Sequence, residues 1–397
     1  MYAMFLTNNE NEPNMKKSLI LLLCTTVACS FPSKSEEEIS ESTTQYPDLT
    51  ELDHTITSIM AEDGIPGVST CIIKAGEIAW CNGYGYSNIE TESKVTPQTP
   101  FMLASVSKTI TGVALMHLIE TNALDLDTPV NEYLIFDVQH PTDNKEITAR
   151  MLLSHTSGID DNWNAMNSVI VDGDSPLSLS DFLEGYLTPD GEWYNANQNF
   201  VDLGVEEQTH YSNIGIALAA LIVEPITGLS FSTYCHDYIF EPLDMNNTAW
   251  FLSELDEQEI AVPYRKNDGN WEAVQHYGYP DYPDGALRTG AEPLAQFLSM
   301  FVNEGTYRDV EILSPSSVSE MKRPQYPDLD ENQGLVWYSW NSDEIQYFGH
   351  GGGDLGVSTQ IGFRDDGFGF VILMNSTGSG NTLDDIKSAL IEHAAEL

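Results

Sequence analysis

Ser105 and Lys108 stand three residues apart at the head of a stretch with helical spacing of apolar residues. Residues three apart lie on one face of a helix, so the two side chains can share a hydrogen bond. A serine hydroxyl is a poor nucleophile until a base takes its proton, and a lysine desolvated by burial can be tuned to do so. The pair therefore fits covalent acyl transfer, although Ser-x-x-Lys alone also occurs by chance in exposed helices.

A second polar segment, Tyr211-Ser212-Asn213, precedes an apolar stretch over residues 214–226. Its side chains would lie where a helix begins. A tyrosine there can relay protons, and an asparagine can hold a lysine or a substrate amide. The structural alternative is that Ser212 or Asn213 merely caps the helix.

The third segment is Gly349-His350-Gly351-Gly352-Gly353, which we place between two strands. Small residues let a substrate backbone approach an edge strand, and a backbone N–H there can stabilise an oxyanion. A flexible glycine turn is the structural alternative. His350, Gly352 and Gly353 are thus candidate substrate-binding or oxyanion residues.

The elements that must position these residues follow from periodicity. Helices are predicted over 49–64, 105–120, 149–154, 180–187, 213–227 and 383–395, and strands over 68–73, 77–83, 335–340, 346–348, 357–363 and 368–374. Strands at both ends with helices between them predict an α/β (α+β) fold, in which a sheet completed by both termini carries an inserted helical subdomain.

The order Ser-x-x-Lys, Tyr-x-Asn, His-x-Gly resembles the signature of serine β-lactamases and penicillin-binding-protein-like hydrolases. The resemblance runs from about Leu49 to Leu397 and includes the segments Ile65–Val68, Leu152–Gly158, Phe240–Leu243 and Pro283–Arg288. It implies a β-lactamase/transpeptidase-like fold with an antiparallel sheet flanked by helices. Residues 49–100 and 290–397 would form the α/β part, and residues 101–289 the mainly helical part.

By this resemblance Ser105 forms the acyl-enzyme, Lys108 assists its deprotonation, and Tyr211 is the general base or proton shuttle. Asn213 would orient Lys108 or the substrate, and the oxyanion would lie between the N–H groups of Ser105 and Gly353.

One position departs from the family pattern. His350 stands where class C β-lactamases carry a lysine that recognises a carboxylate, and histidine is neutral for much of the time at pH 7. The departure favours the carboxypeptidase, D-aminopeptidase and esterase branches.

The expected function is hydrolysis of an ester or amide through an acyl-serine, on a D-amino-acid peptide or a carboxylic ester. No cofactor or metal is expected. A class C-like β-lactamase and an inactive envelope binding or scaffold protein are the alternatives. A lipase elbow, Gly-x-Ser-x-Gly, and a zinc motif, His-Glu-x-x-His, are both absent from the sequence.

Loops around Trp163, Trp193 and residues 280–283 are expected to set the substrate selectivity. His155 is interpreted as a structural residue.

The chain has 397 residues and is strongly acidic, with 61 Asp and Glu against 16 Lys and Arg and a formal net charge of −45. Such a surface repels nucleic acid and anionic lipid, which excludes binding to either through basic patches. The expected partner is a small-molecule, peptide or ester substrate.

The N-terminus resembles an export signal. Met15-Lys16-Lys17 is followed by an uncharged, mostly apolar stretch over 18–28, and Thr26–Cys29 resembles a bacterial lipoprotein cleavage box. We expect a signal region at 1–29 with lipidation at Cys29, an acidic disordered tether at 30–48, and a lipid-anchored periplasmic protein. Simple secretion without a lipid is the alternative. Either Met1 or Met15 is the translation start.

Cys71 and Cys81 flank a hairpin turn near Ala75-Gly76. With a two-residue turn they would point to opposite faces of the sheet, and with a three-residue loop they would oppose each other. A disulfide between them is left open.

Overall fold

The computed structural model describes residues 46–342, 344–378 and 380–397. The signal region and Cys29 lie outside the described residues, as does most of the tether. Within the described part, no single helix is long and apolar enough to cross a membrane; the helices over 213–227 and 231–240 meet that test only as a pair bent by 83°.

A seven-stranded sheet forms the centre of the described chain, in the order β12-β13-β14-β15-β1-β2-β3, and every neighbouring pair is antiparallel. Three of its strands come from the N-terminal part of the chain and four from the C-terminal part, so both ends complete the sheet as predicted, although the short β3 was not predicted. Their bounds are β1 Gly67–Lys74, β2 Glu77–Asn88, β3 Ser93–Lys94, β12 Tyr338–Ser342, β13 Ile345–Asp354, β14 Val357–Phe363 and β15 Gly369–Met374.

Eight short strands form two-stranded pairs outside this sheet. Their bounds are β4 Phe101–Met102, β5 Val171–Asp172, β6 Tyr264–Asn267, β7 Asn270–Ala273, β8 Tyr277–Gly278, β9 Arg288–Thr289, β10 Thr306–Tyr307 and β11 Val310–Glu311. The pair β4–β9 matters for the site, because the chain leaves β4 directly into the turn that carries Ser105.

Helices cover the sheet and fill the region between β4 and β9. Their bounds are α1 Thr50–Asp63, α2 Ser107–Glu120, α3 Ala149–Leu153, α4 Trp163–Ser168, α5 Leu179–Leu187, α6 Asn213–Leu221, α7 Val223–Thr227, α8 Phe231–Cys235, α9 Ala291–Val302, α10 Pro315–Lys322 and α11 Thr382–His393. All nine residues of α6 are buried. A helix that is apolar on every side is a core helix, and α6 fits that description.

The central strands are buried on both faces, so their side chains divide between two apolar layers. On β15, Val371 and Leu373 belong to the larger core, and α9 covers the sheet on this side. Phe370 and Ile372, which point the other way, pack with α1 and α11. This alternation follows from the two-residue period of a strand, and continuous apolar runs are typical of strands covered on both sides.

The Cys71–Cys81 pair forms a disulfide across β1 and β2, with Cα atoms 4.0 Å apart. The hairpin has a two-residue turn, with Lys74 paired to Glu77, yet the cysteines lie opposite each other. A register shift after Ile72 supplies the extra residue. A β-bulge of this kind changes which residues face each other, so turn length alone was insufficient to decide the pairing.

Several predicted boundaries differ in the structure, and three of these differences lie near the site or at the edge of the sheet. Helix α2 begins at Ser107, and Ser105 precedes it in a 3-10 turn, Ala104–Val106, called the serine turn below. The segment 335–337 is not a strand, because its side chains are buried against the helical core and its backbone bonds to α10 and α3. The glycine segment 349–353 lies within β13 rather than between strands.

Candidate active site

Ser105 is half-buried in the serine turn, which three neighbouring groups hold in place. The N–H of Leu103 donates to Leu287 O at 2.8 Å, and Thr359 Oγ1 donates to Leu103 O at 2.6 Å. Ala104 has a φ of +49°, a region that residues with side chains seldom adopt. Strained backbone of this kind persists only where the surroundings enforce it, so the position of Ser105 is tightly constrained.

Lys108 is fully buried, and its ammonium has three acceptors. Nζ donates to Ser105 Oγ at 3.1 Å, to Asn213 Oδ1 at 2.6 Å and to the backbone carbonyl of Asp284 at 2.7 Å. Burial acts to lower the pKa of Lys108, but Tyr211 and Asp284 favour the charged form, and the pKa is raised overall. Lys108 is therefore a cationic donor to Ser105. The expectation that Lys108 assists the deprotonation of Ser105 stays a prediction, and the contact between Nζ and Ser105 Oγ on which it depends is present.

Asn213 is the first residue of α6, and Asp161 fixes its orientation. The Asn213 amide Nδ2 donates to Asp161 Oδ2 at 2.8 Å, which leaves Oδ1 to accept from Lys108. The backbone N–H groups of Asn213 and Ile214 also donate to Asp161, and the Ser212 side chain caps the helix. Burial raises the pKa of Asp161, while these backbone donors oppose the rise. A carboxylate at a helix N-terminus is electrostatically favourable.

Tyr211 is 44% exposed and directly precedes Ser212, the N-cap of α6, with its ring beside Lys108 and His155. Lys108 Nζ lies 5.0 Å from the centre of the Tyr211 ring. The His155 ring lies 4.4 Å from it, and His155 Nδ1 accepts from the N–H of Ser212 at 3.2 Å. Burial lowers the pKa of His155 well below its usual value, so this ring is neutral. His155 thus packs against Tyr211 and bonds to the next residue.

The glycine segment of β13 passes directly beside the serine turn. A Cβ on Gly352 would collide with Leu103 O and Thr359 Oγ1 and would lie 3.1 Å from Ser105 N, so glycine is required for this approach. Gly353, by contrast, is open to solvent and lines the same cleft as Ser105. On one side, Gly353 is paired with Ser358 of β14. On the other side, the pairing of β13 with β12 already ends at Gly349.

His350 is neutral at pH 7. Burial and the nearby charge of Lys108 lower the pKa of His350 to about 4. Nδ1 lies 2.7 Å from Gly351 O, so this nitrogen carries the proton and donates. The ring centre is 6.3 Å from that of Tyr211. His350 therefore brings no positive charge to this end of β13.

The cleft at Ser105 has a volume of about 180 Å³. Apolar and acidic side chains dominate its lining, which comprises Ala104, Ser105, Trp163, Met166, Asn167, Ile170, Asn213, Tyr279, Asp281, Asp284, Gly285, Gly353, Asp354 and Leu355. A concave, largely apolar site with a few converging polar groups is typical of small-molecule binding.

Asp281 and Asp284 are buried carboxyl groups on this lining, with 2% and 5% of their surface exposed. Burial raises the pKa of Asp281 to about 7. Burial and the neighbouring Asp281 raise the pKa of Asp284 well above its usual value. The two carboxyl groups are within hydrogen-bonding reach of each other, so one proton is shared between them.

The structure brings Ser105, Asn213 and the Tyr211 ring together around Lys108, and Ser105, Asn213 and Gly353 line one cleft. Of the expected selectivity loops, the one with Trp163 and the one over 280–283 reach the cleft, the latter through Asp281. Trp193 does not; its ring packs 5.3 Å from that of Phe182 in the core.

Sequence reasoning missed three acidic contributors, Asp161, Asp281 and Asp284. A sequence signal did exist for the last two. The tripeptide Tyr-Pro-Asp occurs twice in succession over 279–284, and a glycine follows it directly. Asp161 had no comparable signal, since its partner Asn213 is 52 residues away.

For metals, the described residues offer one group of three ligand atoms within 4.8 Å of one another, from His236, Asp237 and Glu241. All three are exposed, and none lines the cleft at Ser105.

Comparison with known proteins gives one family match and many relatives of similar fold. The family model described as Beta-lactamase matches residues 52–395. Protein flp of Staphylococcus aureus (strain MW2) is 23% identical over 356 residues, an alignment that covers 86% of this chain and 66% of that protein. The chain therefore spans slightly less than two thirds of the length of this relative.

Two solved structures illustrate the likeness in fold. The octameric penicillin-binding protein homologue from Pyrococcus abyssi has a TM-score of 0.73 and 26% identity, covering 88% of this chain and 78% of that one. The D-amino acid amidase from Ochrobactrum anthropi SV3, complexed with L-phenylalanine amide, has a TM-score of 0.68 and 20% identity, covering 87% and 100%.

Proposed function

This chain belongs to the β-lactamase family of serine hydrolases, and we propose that it hydrolyses an ester or amide through an acyl-Ser105 intermediate. The proposed substrate is a D-amino-acid peptide or a carboxylic ester. The observation that carries the proposal is the buried Lys108 ammonium, which bonds to both Ser105 Oγ and Asn213 Oδ1. A buried cation that touches a serine hydroxyl favours the alkoxide and so activates the nucleophile.

In the acylation step, Ser105 Oγ attacks the substrate carbonyl carbon while Tyr211, which must be a phenolate for this step, accepts the hydroxyl proton and becomes a neutral phenol. Lys108 keeps its proton, since its ammonium donates to three acceptors. One of these acceptors is Ser105 Oγ, so the ammonium stabilises negative charge on that oxygen. The oxyanion lies between the N–H groups of Ser105 and Gly353, both of which line the cleft. Collapse of the tetrahedral intermediate breaks the bond to the leaving group, which takes the proton from Tyr211.

Deacylation repeats these steps with water. Tyr211 accepts a proton from the water, the hydroxide attacks the acyl-Ser105 carbonyl, and Ser105 leaves with the proton returned by Tyr211. The 44% exposure of Tyr211 supports this role, because water has access to the side chain.

The test of this function is covalent labelling of the protein and of Ser105→Ala, followed by intact mass and peptide mapping. We expect a fluorophosphonate to label Ser105 in the wild type, and Ser105→Ala to lose both labelling and p-nitrophenyl ester turnover at an unchanged unfolding temperature. Turnover that persists in Ser105→Ala would overturn the mechanism. Absence of labelling in the wild type would instead indicate an inactive binding protein of the same fold.

We also propose that the protein is exported and anchored to the periplasmic side of a membrane through lipid on Cys29. Support comes from the sequence alone, in the Lys16-Lys17 pair, the apolar stretch over 18–28 and the cysteine that follows it.

A further inference from the structure

The Asp161 carboxylate lies at the start of α6 and accepts hydrogen bonds from three consecutive residues. Oδ1 accepts from the N–H groups of Asn213 and Ile214 at 2.9 and 3.1 Å, and Oδ2 accepts from Asn213 Nδ2 at 2.8 Å. Ser212 Oγ donates to Oδ1 at 3.4 Å. An ionised carboxyl group is an acceptor only, so this set of donors stabilises the charged form of Asp161.

The backbone on either side of Asp161 is fixed by one buried tyrosine. The Tyr186 hydroxyl, on α5, donates to Asp160 O at 2.9 Å and accepts from the N–H of Asn162 at 2.5 Å. The N–H of Asp160 in turn donates to Asn199 O at 2.8 Å. Because the residues before and after it are anchored in a buried network, Asp161 has a fixed position relative to α6.

The Asn213 side chain lies between two opposite charges. Its Nδ2 donates to Asp161 Oδ2 at 2.8 Å, and its Oδ1 accepts from Lys108 Nζ at 2.6 Å. The reversed amide would place an acceptor against the carboxylate and a donor against the ammonium, and neither contact is favourable. Asn213 and Lys108 are both buried, so lost hydrogen bonds there are costly. Asp161 therefore selects the orientation in which Asn213 presents an acceptor to Lys108.

We propose that Asp161 is a positioning residue for acylation, which acts through Asn213 to hold the Lys108 ammonium against Ser105 Oγ. Asp161 is absent from the cleft lining, so its role requires no contact with the substrate. Lys108 Nζ lies 3.1 Å from Ser105 Oγ, and Asn213 Oδ1 is one of its two other acceptors. A reversed Asn213 amide would remove that acceptor and displace the ammonium. This inference rests on the proposed acyl-serine hydrolysis.

The test exchanges the two side chains. In Asp161→Asn, two amide groups would face each other, and Asn213 could pair with the new amide only by turning its own Nδ2 towards Lys108. In Asn213→Asp, two carboxylates would face each other. The exchange variant, which combines Asp161→Asn with Asn213→Asp, restores every contact. Its amide at position 161 donates to the carboxylate at position 213, whose other oxygen accepts from Lys108.

We expect each single substitution to lower two rates by about thirtyfold or more: kcat for p-nitrophenyl butyrate and the labelling of Ser105 by a fluorophosphonate. The exchange variant should exceed both single variants and come within about fivefold of the wild type, because paired changes compensate when two residues act through their contact. Asp160→Asn is the matched control. It removes the same charge one residue away, from a carboxylate that bonds to His210, and should keep both rates within about threefold.

Two results would overturn the proposal. One is an exchange variant that fails to fold or stays more than about tenfold below the wild type, since every hydrogen bond of the proposal is available to it. The other is a single variant Asp161→Asn with wild-type rates, and a lowered unfolding temperature in that variant would show that Asp161 only stabilises α6. In both cases the wild type still turns over the ester. Absence of turnover and labelling in the wild type would instead refute acyl-serine hydrolysis.

Discussion

At the scale of single residues, the site depends on groups that orient the reacting atoms without touching the substrate. His155 illustrates this arrangement. Its ring packs 4.4 Å from that of Tyr211, and its Nδ1 accepts from the N–H of Ser212. His155 is absent from the cleft lining, and its φ is +58°. We therefore assign it as a positioning residue for Tyr211, which refines its interpretation as structural.

We predict that His155→Ala lowers kcat about tenfold with little change in KM, because a misplaced Tyr211 slows proton transfer while the substrate contacts persist. His155→Asn should restore part of the rate, since asparagine tolerates positive φ and can accept from Ser212. Steady-state kinetics of both variants provide the measurement. Equal kcat in His155→Ala and the wild type would show that the contact is only structural.

At the scale of elements, catalysis depends on how closely β13 passes the serine turn. Pairing with β14 holds the glycine segment in register, with Gly352 opposite Thr359 and Gly353 opposite Ser358. Thr359 in turn donates to Leu103 O, so β14 ties both β13 and the serine turn together. The sheet, rather than a mobile loop, therefore sets the distance between the serine and the proposed oxyanion donor.

We predict that Gly352→Ala lowers kcat at least about a hundredfold, because the new Cβ would displace the serine turn, and ångström-scale misplacement of reacting groups has effects of this size. Gly351→Ala is the matched control, since its Cβ would approach only Thr359 O, at 3.9 Å. That variant should keep kcat within about threefold of the wild type. Similar losses in both variants would contradict a role for this specific approach.

At the scale of the whole molecule, the formal charge of −45 bears on how the protein meets a membrane. Anionic lipid surfaces attract basic segments and repel acidic ones. Attachment by surface charge is therefore unfavourable for this chain, and stable anchoring would depend on the lipid proposed at Cys29. The same acidic field raises the local concentration of cationic molecules.

We predict that Cys29→Ser moves the protein from the membrane to the soluble fraction of cells that express the full chain. Cys24→Ser, which alters the other cysteine of the predicted signal region, is the matched control and should stay with the membrane. Fractionation followed by immunoblotting gives the measurement. Retention of Cys29→Ser in the membrane fraction would rule out the lipid anchor.

Local patterns were sufficient for the parts of the site that are close in sequence. Ser105 and Lys108 contact because residues three apart face the same way in both 3-10 and α-helical turns. Ser212 caps α6 because a serine before an apolar helical run supplies an acceptor to its free N–H groups. Runs rich in β-branched and aromatic residues on either side of Ala75-Gly76 likewise predicted the N-terminal hairpin of the central sheet.

The sequence by itself thus determined the fold class, the order of the three motifs and the elements that carry them, because these depend on short-range spacing. Only the tertiary structure decided that Lys108 is cationic, since its acceptors Asn213 and Asp284 lie 105 and 176 residues away. It also decided that Asp281 and Asp284 line the cleft. Protonation and binding depend on burial and on through-space neighbours, which no local pattern records.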